Sequence, residues 1–281
     1  MTALLTALAL LAFAANSILC RFALADAAVD PASFTALRLV SGALVLWPLA
    51  RVFGEPVTGA GARGSWPSAA ALFAYAAGFS FAYVSLPAGV GALLLFGAVQ
   101  ATMLLIAARG GHGLRRAQWA GFAVAIAGLV VLVLPGLSAP EPFGAALMVV
   151  AGIAWGVYSV RGRGAASPVR LTAGNFARSA PLAVGLLLPF ANSLHASGKG
   201  VALALASGIV TSGCGYVIWY RALRGLHVAQ ASVLQLLVPV LVAAAGIALL
   251  GEVLSPRLAG ASLLILGGVA VAVWPRRAAG S

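Results

Sequence analysis

The chain has 281 residues, of which 62% are hydrophobic and only 8% charged, with a formal net charge of +12. That balance excludes a soluble globular domain and leaves a polytopic helical membrane protein. It also excludes nucleic acid as the partner of the positive charge: the arginines lie at the ends of apolar runs, where they set orientation and meet anionic lipid.

Apolar runs separated by charged, Gly- or Pro-bearing breaks predict ten spanning helices. They fall at about 2–25, 33–53, 67–85, 88–108, 116–135, 142–161, 172–192, 199–220, 226–250 and 256–275. The sizeable polar loops are 54–66 and 162–171, and no stretch reads as a soluble domain. The first run ends at Ala23-Leu24-Ala25, which resembles a signal-peptide cleavage site, but it lacks a basic leader and is read as a span. Cys20 and Cys214 fall inside apolar segments and read as packing residues, not as a disulfide or metal pair.

In chain order, the polar and aromatic residues inside these spans are the candidates for chemistry. Span 1 offers Asn16 and Ser17. Span 2 carries Arg38 and span 7 carries Arg178, both inside apolar sequence. Intramembrane arginine is expensive, and two readings stay open: a structural one, bonding carbonyls at a neighbouring helix end, and a functional one, clamping a carboxylate or gating the path. Span 3 places Tyr75, Phe79 and Tyr83 at i, i+4, i+8, a single stripe suited to a cavity wall, to helix packing or to a headgroup-level belt. Span 6 has Trp155 and Tyr158 three apart, with Ser159 beside them. Span 8 offers Thr211, Ser212, Tyr216 and Trp219, the last two near a membrane interface.

Span 9 is unusual. From Val228 to Gly251 it has no charge, yet it holds Ser232 and Gln235 on one helix face and Pro239 in its middle. Pro239 removes a backbone hydrogen bond and predicts a kink. Glu252 closes the stretch and reads as structural, capping a loop or pairing with Arg257. His227 opens it, as a polar cap or a possible proton site.

With the N-terminus in the cytoplasm, that side receives Arg51, Arg63, Arg109, Arg115, Arg116, Arg161, Arg163, Arg170, Arg221, Arg224, Arg276 and Arg277. The other side receives Lys199, Arg257 and the acidic Asp26, Asp30, Glu141 and Glu252. The bias predicts that both termini are cytoplasmic. The two halves also echo one another: Arg21 and Arg38 match Arg161 and Arg178 at an offset of 140, and Ala120-Gly121 with Gly128 matches Ala259-Gly260 with Gly267 at an offset of 139. Five spans per half make the second copy, 139–281, inverted relative to the first, 1–138. Inverted repeats are a transporter signature, with the substrate site near mid-membrane.

On the Arg of Phe34-Thr35-Ala36-Leu37-Arg38, the Arg of Asn175-Phe176-Ala177-Arg178, and the stretch from Pro239 to Gly251-Glu252 followed by Ala259-Gly260 and Gly267, the chain resembles the drug/metabolite transporter superfamily in its ten-helix EamA-type branch. The first half departs from the pattern at Gln100, where the family often has Pro, and at Gly113, opposite Glu252. The resemblance implies spans 1–4 and 6–9 around a central cavity, with 5 and 10 peripheral, and looks most like aromatic amino-acid exporters.

The expectation is therefore an all-α, ten-helix transporter of the bacterial inner membrane that exports small amphipathic metabolites by alternating access. Amino acids are the first guess, with aromatic ones favoured; a nucleoside, a cationic drug or another metabolite is the alternative. Asn16, Ser232 and Gln235 would hold polar groups, and Phe79, Trp155 and Tyr158 the apolar body. The partners are then a small-molecule substrate and the bilayer, and the oligomeric state stays open. No Asp or Glu sits inside an apolar core, so the usual proton-relay carboxylate is missing. No P-loop and no zinc motif appears, and no cofactor or metal is expected. Thr211-Ser212-Gly213 suggests an intramembrane hydrolase, but no His lies at a suitable depth to serve as its base.

Overall fold

A computed structural model describes residues 1–54, 63–109, 116–134, 136, 139–226, 231 and 234–273. The described residues form helices and their connections, with a single isolated bridge between Val29 and Ala196 in place of any sheet. The helices are α1 (Thr2–Ala25), α2 (Pro31–Phe53), α3 (Trp66–Ala82), α4 (Ala88–Arg109), α5 (Arg116–Val133), α6 (Pro142–Gly162), α7 (Pro168–Gly185), α8 (Gly198–Leu223), α9 (Leu237–Leu250) and α10 (Pro256–Val273). Among the described residues, α1, α2, α4, α5, α6 and α8 are long and apolar enough to cross a membrane, and α9 and α10 are shorter apolar helices.

Start signals explain most boundaries. Asp30, Ser65, Glu141 and Ser197 each accept a backbone N–H from the first turn of the helix that follows, and Pro stands in the first turn of α2, α3, α6 and α7. Two spans differ from the sequence expectation. The seventh begins earlier, at Pro168, because Ser167-Pro168 is a stronger start signal than the apolar pattern that Arg170 interrupts. The ninth is not one continuous helix: its winding breaks at Leu236, and α9 runs only from Leu237. Pro239 has no N–H for the Gln235 carbonyl, so it sits in the first turn of a new helix instead of kinking an old one. His227, Gln230 and Ser232 lie outside the described residues.

Polarity is inverted relative to a soluble protein. Asn16, Ser17, Arg38, Ser80, Gln100, Ser159, Ser212 and Gln235 are buried, while Leu44, Val124, Val130, Leu249 and Leu263 are exposed. Such a surface suits hydrocarbon, and the buried polar groups must then find partners within the bundle. α2 packs on α7, α4 on α9, and α5 on α10; α6 lies against α3 and α4, as α1 lies against α8 and α9. α5 buries the stripe Gly121, Ala125, Gly128 and Leu132, and a side chain at Gly121 would collide with the backbone of Gly268. On α10 it is therefore Gly268 that makes the close contact. Gly260 and Gly267, which match the α5 glycines in the repeat, face open space.

The two ends of the bundle differ. At one, Asp30 accepts N–H bonds from Ser33 and His195, Lys199 reaches Asp26 at 2.9 Å, and Ser85 donates to Glu141. Arg21 donates to the carbonyls of Tyr83 and Val84, and Glu252 accepts from the Ala88 N–H at 2.6 Å at the start of α4. Glu252 faces Arg21 at 3.9 Å, whereas Arg257 donates to the Leu134 carbonyl. Hydrogen bonds thus tie the helices together at this acidic end, beside a cavity of about 220 Å³ lined by Gly89, Glu252 and Leu258 among others. Burial opposes the Asp30 charge, but the N–H bonds from Ser33 and His195 outweigh it and hold the carboxyl below its ordinary value. The Gly144 and Phe143 N–H groups do the same for Glu141.

Candidate functional site

Arg38 organises the middle of the bundle. It lies about 10 Å along α2 from the helix start, and its side chain is 0% exposed. It reaches this depth because α2 and α8 touch backbone to backbone: a side chain at Gly208 would strike the Arg38 carbonyl oxygen and the Ser41 hydroxyl. Its Nε donates to Ser212 Oγ at 2.9 Å, and its Nη2 donates to the hydroxyls of Tyr216 at 2.9 Å and Tyr75 at 3.1 Å. The guanidinium carbon stands 5.1 Å from the ring centroids of both Tyr75 and Phe79, at cation–π distance. Its Nη1 has no hydrogen-bond partner. Among the described residues no carboxylate lies within ion-pair distance of it.

Asn16 on α1 extends the network. Its Oδ1 accepts from Ser207 at 2.7 Å, Thr211 at 3.0 Å and Ser212 at 3.5 Å, and its Nδ2 faces the Tyr75 hydroxyl at 3.4 Å. The convergence has a local cause. The middle of α8, Ser207–Cys214, is wound as a π-helix, in which residues five apart share a face. That winding brings both Ser207 and Ser212 to one amide. Reading at 3.6 residues per turn separates them.

Aromatic rings close the space around the guanidinium. Trp155 lies 4.6 Å from Tyr216, 4.9 Å from Tyr75 and 5.4 Å from Tyr158, between ring centroids. Phe13 meets Trp155 at 5.8 Å and Trp219 at 5.6 Å. Phe13, Ser17, Tyr75, Phe79, Phe96 and Trp155 line a tight inner pocket of about 10 Å³, room for one water in this conformation. A larger vestibule of about 210 Å³ opens at the basic end, lined by Ser159, Tyr220, Arg224 and Gln235 among others. Trp219 lines the vestibule and Phe13 the inner pocket, so the contact between these two rings stands between the two spaces.

The sequence candidates therefore divide. Asn16, Arg38, Tyr75, Phe79, Trp155 and Tyr158 come together, although the Tyr158 hydroxyl, near Asn175 and Thr172, makes no well-formed hydrogen bond. Tyr83 meets them only at the edge, its ring 4.7 Å from that of Phe79: it caps the end of α3, its hydroxyl faces the Ala88 carbonyl, and its ring fills the space a side chain at Gly91 would need. Gln235 lies in the vestibule, bonded to Gln100 at 3.4 Å. Pro239 is buried in the first turn of α9. Arg178 takes a different place, donating to the carbonyls of Arg63 and Gly174 at the basic end. Tyr216 and Trp219, which the sequence places near an interface, are buried at the centre. Ser212, Tyr216 and Trp219 at i, i+4, i+7 were the available signal for that face. Phe13 gave no signal beyond its spacing of three from Asn16.

Residues 142–274 match the model of the EamA-like transporter family. The protein PA1977 of Pseudomonas aeruginosa is 54% identical over 275 residues, covering 98% of this chain and 95% of that one. The inner membrane transporter YedA of Escherichia coli K12 is 34% identical over 115 residues, 41% of this chain and 34% of that protein. A solved crystal structure superposes with a TM-score of 0.68 at 25% identity, covering 96% of each chain.

Proposed function

The chain belongs to the EamA-like transporter family, a family of membrane transporters, and on that premise we propose that it exports small amphipathic metabolites by alternating access around the Arg38 network. The observation that carries this reading is a small internal pocket walled by five aromatic rings, one of which, Tyr75, is bonded through its hydroxyl to a buried guanidinium and a buried amide. A solute with one polar head and an apolar body meets both kinds of surface there, with Asn16 and Arg38 toward the head and Phe79, Trp155 and Tyr158 toward the body. Amino acids fit that description, aromatic ones best. The central positive charge counts against the cationic-drug alternative.

Two further features support alternating access. The helix contacts keep their pattern when each helix is exchanged for the one five places on: α3 against α6 becomes α8 against α1, and α4 against α6 becomes α9 against α1. This favours two inverted halves, 1–138 and 139–281, and ten spans. The acidic end is laced by hydrogen bonds while the basic end holds the vestibule. If the basic end is cytoplasmic, as the arginine bias predicts, this conformation faces inward. The bacterial inner membrane follows from the same orientation and from the likeness to YedA.

The test is flux of labelled phenylalanine and related solutes in proteoliposomes, with and without a pH gradient. Flux above that of empty vesicles, lowered by Trp155→Ala, is expected. Transport unchanged in a folded Trp155→Ala variant would sink the assignment of the pocket.

A further inference from the structure

We infer that the solute this pocket prefers is an organic anion: a carboxylate on an aromatic or apolar body, without a neighbouring ammonium group. The inference rests on the transport reading above and moves its substrate class from aromatic amino acids to the anions that share their body and carboxylate.

It starts from a charge that lacks its counterpart. Arginine stays protonated in proteins, and a buried cation is normally paired. Arg38 is wholly buried, yet its partners are three neutral hydroxyls and two ring faces, and its Nη1 has none. The sequence holds five carboxylates. Asp26, Asp30, Glu141 and Glu252 are occupied at helix ends, and Glu55 lies in the 54–66 loop by sequence. Among the described residues no carboxylate meets Arg38, and the anion we assign to it is the solute's own. Nε and Nη2 spend their N–H bonds on hydroxyls, so the donor left for a carboxylate oxygen is the Nη1 amino group.

The same census argues against a zwitterion. An α-ammonium group beside the bound carboxylate would sit within a few ångströms of the guanidinium and needs an acceptor of its own. The obvious one, Asn16 Oδ1, already accepts from Ser207, Thr211 and Ser212. The lining is otherwise Phe13, Phe79, Leu95, Phe96 and Trp155 with the neutral hydroxyls of Ser17 and Tyr75, the latter already bonded to Arg38, and it offers no negative charge to an ammonium group.

Three labelled probes share one aromatic body and differ only in charge: 3-phenylpropionate, phenylalanine and phenethylamine. In proteoliposomes of the full chain, 3-phenylpropionate is expected to move fastest and phenethylamine not at all. Arg38→Gln should lower 3-phenylpropionate flux by about 30-fold or more, the loss typical of a buried charge pair deprived of one partner. Arg38→Lys, which keeps the charge but not the fork, should retain part of it. Size-exclusion profile and melting temperature check that both variants fold, and if Arg38→Gln does not, the wild-type order of the three probes decides alone. Faster flux of phenylalanine or phenethylamine than of 3-phenylpropionate, or unchanged 3-phenylpropionate flux in folded Arg38→Gln, overturns the anion inference and leaves the transport reading standing. No flux of any probe above empty vesicles overturns both.

Discussion

Arg38 and Arg178 occupy corresponding places in the two proposed halves, 140 positions apart, and do different work. Arg178 is half-buried and spends its donors on the Arg63 and Gly174 carbonyls, as an arginine does when it ties a loop to a helix. Arg38 is wholly buried and spends its donors on hydroxyls that a solute can displace or share. Carbonyls at a helix end are fixed acceptors that the fold always supplies. A guanidinium among hydroxyls and rings keeps an unmet demand. In the proposed repeat the same residue type is thus structural in one half and a candidate binding group in the other.

The largest expected effect breaks the pair apart. Arg38→Gln should lower flux of the preferred solute by about 30-fold or more, whereas Arg178→Gln should leave flux within about threefold. Arg178→Gln should instead lower the melting temperature in detergent by about 2–4 °C, the size expected for loss of hydrogen bonds worth about 1 kcal/mol. Equal flux losses in the two variants would erase the distinction. Next, Trp155→Phe keeps an aromatic body but loses part of the contact with Tyr75 and Tyr216, and a flux loss of about tenfold is expected.

Smaller effects test the laced end. Glu252→Gln removes the charge that caps α4 and faces Arg21, so a melting-temperature drop of about 2–4 °C with little change in solute preference is expected. The smallest concerns pH, and it too separates the halves: Glu141 caps α6, while α1 has only Met1 in that place and no side-chain cap. Glu141 is held below its ordinary 4.5, so its contribution is complete above that value and is lost as pH falls through the lower folded value. Asp30, held below its ordinary 3.8, behaves alike at lower pH. Melting curves between pH 6 and pH 3 should show the wild type losing stability on acidification more steeply than Glu141→Gln; parallel curves would contradict that.

Much of the site was legible because buried polarity in an apolar chain is costly and therefore meaningful. Asn16 and Arg38 stand out on that ground alone, and Trp155 stands out because mid-span Trp is too deep for an interfacial belt. Tyr83 misled: its i, i+4, i+8 spacing is right for the stripe, but the end of α3 turns it toward α4. Tyr216 was legible as part of a helix face but not as central, because its depth depends on where α8 starts and on the extra winding inside it. The Glu252 interaction with the first turn of α4 joins residues 164 apart, and no local pattern encodes it.

The sequence by itself determined the class, an all-helical membrane protein, because lipid demands long apolar runs with internally satisfied backbones. It also determined that no carboxylate would lie inside a span, which makes the charge of Arg38 a question. Only the tertiary structure decided the answer. Whether an arginine finds carbonyls, a carboxylate or nothing depends on which helices cross at its depth. Here a glycine contact between α2 and α8 and a π-wound turn placed hydroxyls and rings there, and left the Nη1 amino group of the guanidinium free.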